Sequence, residues 1–271
     1  MTAIAPSAPP TRAAATTSPT TRLSFGRVVR SEFLKLLTLR STWWSLAITG
    51  ALTVGLAALI AGASSTFGPG LSPVAAITLP IQFTMLVAGI LGAMAITGEY
   101  STGMIRSTLT AEPRRGRVLL AKAVVVAVTL VLLAAVTTVI AGLVVMPILG
   151  ADAYAWGDVK ELWLPLVLSL LAMATFGLLG LGWGFVIRNG AGAIATTVGI
   201  LFVLPIVLQL FMMFGESWQW VVELGRWLPS NATAALTNVD GADFWPSLVA
   251  AIAWPAGTLL LGWAVLRTRD A

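Results

Sequence analysis

The residues able to do chemistry gather in one stretch. Between Gly98 and Lys122 the chain reads GEYSTGMIRSTLTAEPRRGRVLLAK, with Glu99, Arg106, Glu112, Arg114, Arg115, Arg117 and Lys122 inside it. The chain as a whole has 271 residues and is 58% hydrophobic and only 10% charged. So polar an insert in so apolar a chain reads as a handle by which another protein moves this one. There is no Cys and no His, which removes thiol nucleophiles, disulfides, imidazole bases and most zinc sites. The acidic residues Glu32, Glu99, Glu112 and Asp270 are expected to form no pair, which disfavours lipid head-group transfer at paired carboxylates. No GxxxxGK[ST] phosphate loop occurs. A transporter built on this chain would therefore draw its energy from another subunit.

The elements that position this insert are apolar. Soluble domains average about 25% charged residues, so a chain with 10% cannot cover a water-facing surface. An all-α integral membrane protein is expected. Six stretches reach the roughly 20 residues that cross a bilayer: about 42–62, 73–97, 118–146, 162–187, 191–214 and 246–266. Ser72 and Pro73 read as the N-cap and first position of the second span. Pro80 and Pro205 are expected to kink the second and fifth. The spans carry no acidic or basic residue at depth, with Lys122 expected to snorkel from a cytoplasmic end. Proton- or ion-coupled carriers generally need such groups, so a self-powered secondary transporter is disfavoured.

Lys and Arg divide unequally between the two sides. Six spans place Arg12, Arg22, Arg27, Arg30, Lys35 and Arg40 on one side. The same side holds Arg106, Arg114, Arg115, Arg117 and Lys122, then Arg188, Arg267 and Arg269. Only Lys160 and Arg226 fall opposite. This asymmetry predicts cytoplasmic N- and C-termini. Residues 1–22 are rich in Ala, Thr, Pro and Ser and read as a disordered tail. No apolar h-region follows Met1, so a cleaved signal peptide is not expected. Over residues 23–40, Phe25, Val28, Val29, Phe33, Leu36 and Leu37 recur at helical spacing, with Arg27, Arg30 and Lys35 largely opposite. That pattern predicts an amphipathic helix lying on the cytoplasmic leaflet beside anionic lipid. The same stripe would also serve a soluble helix packed on a partner. Residues 215–245 hold Trp218, Trp220, Trp227 and Trp245, which predicts one or two short helices at the outer interface; an ordinary aromatic belt accounts for the tryptophans equally well.

Within the insert, Gly98 is expected to end the second span. Glu99 to Ala111 is expected to form a short helix that Pro113 stops. Tyr100 and Met104 would share a face of it, as would Ile105 and Leu109. A short amphipathic helix held between two spans can enter a groove on a soluble partner by its apolar side chains. Topology alone would explain much of the arginine run that follows.

The insert resembles the cytosolic coupling segment of type 2 ABC exporter permeases, an E-x-x-x-G-T-[IV]-[KR]-x-x-L run followed by Pro, basic residues and a Lys. Glu99, Gly103, Ile105, Arg106, Leu109, Pro113, Arg115 and Lys122 fit that pattern, and Met104 stands where the family often has Thr. The segment SEFLKLLTLRSTWW is similar to the family's N-terminal helix, through Glu32, Lys35 and Arg40. The resemblance implies a transmembrane domain over residues 23–271, in a multi-pass protein of a bacterial inner or plasma membrane. It implies two copies of a separate ATP-binding subunit that hold the ATP and Mg, no cofactor on this chain, and a second permease copy, identical or related. It further implies that Glu32, Lys35, Glu99, Tyr100, Gly103, Met104, Ile105, Arg106 and Leu109 couple to the ATPase. Substrate would pass between the two permease copies. Met85, Phe202, Phe211, Met212 and Met213 are the expected lining of that route for a hydrophobic or amphiphilic drug, antibiotic or lipid-like cargo; lipid or neighbouring helices are the simpler occupants of any one of these faces. Partners are thus protein and membrane lipid, with no nucleic acid. The competing reading is a membrane scaffold that anchors partners without moving cargo.

Overall fold

The structure, a computed structural model, describes residues 24–67, 71–237 and 243–269. The expected tail at 1–22 lies outside them, as does Asp270. Among the described residues there are helices and no strands. In chain order they are α1 (Phe25–Thr38), α2 (Arg40–Phe67), α3 (Pro73–Thr78), α4 (Ile81–Thr102), α5 (Met104–Ala111) and α6 (Arg115–Leu149). Then come α7 (Leu164–Ile187), α8 (Gly190–Val198), α9 (Leu204–Leu210), α10 (Gln219–Gly225), α11 (Pro229–Thr237) and α12 (Phe244–Thr268). Six helical runs are long and apolar enough to cross a bilayer: α2, α3 with α4, α6, α7 with the turn before it, α8 with α9, and α12.

Proline marks the breaks where ladder bonds fail. Ser72 caps α3 by accepting from the Ala75 N–H at 3.2 Å, with Pro73 at the first turn. Two turn residues, Leu79 and Pro80, then separate α3 from α4, because proline has no N–H to carry the ladder through. Pro205 acts differently. The turn before it widens into a π-helix over Gly199–Val203, and the run continues into α9. A π turn reroutes the carbonyls that proline leaves without a donor.

The core is centred on α4 and α7. An added Cβ at Gly92 would lie 1.9 Å from the Gly177 carbonyl oxygen, so these helices touch through backbone, a small-residue contact suited to lipid, where close packing replaces the hydrophobic drive. Phe176, Phe185, Ile96, Leu130 and Leu181 are fully buried around this contact. The surfaces of α2 and of the α8–α9 run are mostly exposed.

The insert departs from expectation in one respect. Gly98 does not end the second span, and α4 continues to Thr102. The stop is Gly103, with φ +71°, whose left-handed backbone turns the chain before α5 starts. Glu99 and Tyr100 thus belong to α4, and Tyr100 and Met104 do not share a helix. Ile105 and Leu109 do. Two short helices, α10 and α11, occupy the long tryptophan-bearing connection. Asn231 there donates to the Gly225 carbonyl at 2.8 Å, and Trp254 donates to the Trp227 carbonyl at 2.7 Å.

Candidate functional site: a buried charge cluster beneath the elbow

α1 turns Val28, Glu32 and Leu36 toward the bundle, one residue per turn. A carboxylate in such a stripe needs a partner. Glu32 has two, Lys35 on its own helix at 2.7 Å and Lys122 of α6. Glu99, on the last turn of α4, meets the same two lysines, at 3.0 Å from Lys35 and 2.8 Å from Lys122. Lys35 donates further to the Thr108 hydroxyl of α5 at 3.1 Å, and Lys122 to the Ala95 carbonyl at 3.2 Å. Two carboxylates and two ammonium groups therefore tie α1, α4, α5 and α6 together with no net charge.

Burial decides what this cluster is. Glu32 is 3% exposed, Glu99 4% and Lys122 4%. Lys122 was expected to snorkel; instead its ammonium ends inside the protein. It lies seven residues into α6, roughly 10 Å along the axis, and the bundle supplies two carboxylates closer than water. The expectation that the acids form no pair fails for Glu32 and Glu99, whose carboxylates the same two lysines bring together. Burying three charges beside a half-buried Lys35 is not in itself a large gain, since desolvation offsets attraction, but leaving one unpaired costs several kcal/mol. Burial opposes the charge on Lys35, yet the Glu32 and Glu99 carboxylates outweigh it and raise its pKa above the usual 10.5.

Against the cluster lies a cavity of about 520 Å³ between α1, α2, α4 and α6. Glu32, Glu99 and Lys122 line it on the polar side with Thr42 and Ser45, and residues such as Leu91 and Met94 on the apolar side. Glu99 Oε2 accepts no hydrogen bond from the protein.

A second set of contacts fixes the other flank of α4. Arg188 ends α7 in a left-handed conformation, φ 59°. Its guanidinium sits over the Tyr100 ring, 5.3 Å from the centroid, and donates to the Val265 carbonyl at 3.1 Å. Arg115 donates to the carbonyls of Leu266 and Arg269. Two arginines thereby satisfy carbonyls at the end of α12, where helix termini leave acceptors open.

The expected coupling residues separate into two groups. Glu32, Lys35 and Glu99 face one another, Ile105 is 2% exposed, and Tyr100 and Leu109 are half-buried. Met104, at 41%, and Arg106 are exposed on α5. Gly103 is the turn that presents them. Of the expected route, Met85 is buried in the core, Phe202, Met212 and Met213 are exposed, and Phe211 packs on Phe214 and Trp218. Met85 thus faces the core, apart from the exposed Phe202, Met212 and Met213. Sequence reading missed Lys122, Thr108 and Arg188 as members of these networks. The available signal for Lys122 was a lone lysine two turns inside an apolar helix, which calls for a named partner. No protein-family model matches this chain, and no curated protein matches it.

Proposed function

We propose that this chain is the membrane subunit of a type 2 ABC exporter, moved by separate ATP-binding subunits. Two permease copies would form the path for a hydrophobic or amphiphilic substrate. Both termini would be cytoplasmic, with α1 lying in the membrane interface and its exposed Phe25, Phe33 and Leu34 toward lipid.

One observation carries the reading: a short helix hung between two spans and tied internally to a third element. Gly103 and Pro113 bound α5, Ile105 plugs its inner face into the core, and the Lys35–Thr108 bond joins it to the buried cluster. Met104 and Arg106 point outward. A push on that face would pass through Lys35, Glu99 and Lys122 to α1, α4 and α6 together. Glu32, Lys35 and Glu99 then act as internal ties of the lever rather than as surface contacts. ATP-driven closure of the partner subunits would tilt the second and third spans and open the route outward.

The test is co-purification followed by vesicle assays. The chain should carry an ATP-hydrolysing subunit. Arg106→Glu should lower stimulated ATP hydrolysis and ATP-dependent flux of a fluorescent amphiphilic dye while the complex stays folded. A stable complex that shows no flux with any cargo, and is indifferent to Arg106→Glu, would instead favour the scaffold.

A further inference from the structure

We infer that the recess between the start of α6 and the end of α12 binds the phosphate of an anionic phospholipid, holding one lipid against this edge of the bundle. The recess has a volume of about 530 Å³ and is lined by Arg114, Arg117, Arg267, Gly116, Leu120 and Trp263, with Arg115 and Pro113 behind. Arg115 is already committed to the α12 carbonyls. Arg114 and Arg267 are exposed, and among the described residues no carboxylate lines the recess. Arg267 lies over the Trp263 ring, 4.7 Å from its centroid. Among the described residues Glu112 is the nearby acid, 3.8 Å from Arg117, and the three outer arginines outnumber it. At the start of α6 the buried Glu112 accepts from the Arg114 backbone N–H at 3.2 Å, so the carboxylate is held on the chain side and the Arg114 and Arg267 side chains remain to meet the phosphate.

The feature that selects a lipid is what lies below the arginines. On α6, Leu120, Val124 and Val128 follow Arg117 on one face and are 57%, 42% and 48% exposed. On α12, Trp263 and Leu260 continue from Arg267, 38% and 64% exposed. Both apolar stripes run from the basic recess toward the middle of the helices. A soluble phosphate would use only the arginines, whereas a diacyl phospholipid would fill head recess and stripe together. Gly116 shapes the recess, because a Cβ there would meet Trp263 Nε1 at 3.2 Å. Its absence lets the indole stand against the helix start. Arginine pairs with phosphate oxygens in bidentate fashion, and basic pockets between spans hold anionic head groups in this way. The inference needs only that the helices lie in a bilayer and stands apart from any ATP-binding partner.

The test is native mass spectrometry of the full chain released from nanodiscs of phosphatidylglycerol mixed equally with phosphatidylcholine. Retained phosphatidylglycerol should exceed phosphatidylcholine roughly tenfold or more. The double variant Arg114→Gln/Arg267→Gln should lose that preference, while Arg226→Gln, at the far end of the bundle, should keep it. Equal retention of the two lipids, or full preference in the double variant, would overturn the inference. So would complete displacement of the lipid by excess inorganic phosphate, which would assign the site to a free anion. A double variant that keeps its lipid but loses a co-purifying protein would make the recess a protein contact and overturn it too.

Discussion

Replacing Lys122 with Met tests the buried cluster most sharply. The substitution keeps the length and apolar stem of the side chain and removes one charge. Glu32 and Glu99, 3% and 4% exposed, would then share Lys35 alone, leaving one buried negative charge unmatched. Removing one partner of a buried ion pair costs about 3–5 kcal/mol. At about 2–4 °C per kcal/mol for a chain of this size class, the melting temperature of the purified protein should fall by roughly 6–20 °C. The second variant decides the cause. Lys122→Met combined with Glu32→Gln removes one charge of each sign and leaves Lys35 with Glu99, so it should recover most of the loss despite carrying two changes. Unfolding followed by intrinsic tryptophan fluorescence in nanodiscs reads both. A single variant within about 2 °C of the parent, or a double variant less stable than the single, would refute the claim that charge balance holds α1, α4 and α6 together.

Other consequences are as direct. Lys35 has a raised pKa, so its contribution to stability is fully present below about pH 10.5 and is lost as pH rises through the folded value; Lys35→Met should flatten that alkaline limb in a pH–melting profile. Gly92→Leu should prevent α4 from seating on α7, because even a Cβ would lie 1.9 Å from the Gly177 carbonyl; loss of the monodisperse gel-filtration peak reports it, and an intact peak contradicts the backbone contact. Gly103→Val should strain the φ +71° turn by about 1–2 kcal/mol, read as a lower melting temperature, whereas Gly98→Ala, in open space within α4, should be neutral or slightly stabilising.

The spans were legible because length and hydropathy report them without tertiary knowledge. Pro80 and the Ser72–Pro73 start were legible because both act within a few residues. The limits of the short helix α5 in the insert were half legible. Two glycines stood five residues apart, and only the backbone conformation distinguishes the one that stays helical, Gly98, from the one that turns, Gly103. Lys122 was misjudged because a lysine near a helix end can reach water in principle. Its actual route depends on α1 folding back to place Glu32 beside it, 90 residues earlier in sequence. Glu99 was singled out from its motif, yet its inward direction follows from the phase of α4 continuing past Gly98. Arg188 offered no local signal, since its partners are Tyr100 on α4 and carbonyls of α12.

The proposed lever is tested most directly by its effect on the partner's ATP hydrolysis in reconstituted vesicles. Complexes containing the parent chain, Arg106→Glu or Met104→Lys should assemble alike, and the two variants should hydrolyse ATP several-fold more slowly under transport conditions. Equal rates in all three, or a parent chain that carries solute with no nucleotide-hydrolysing companion, would contradict the lever.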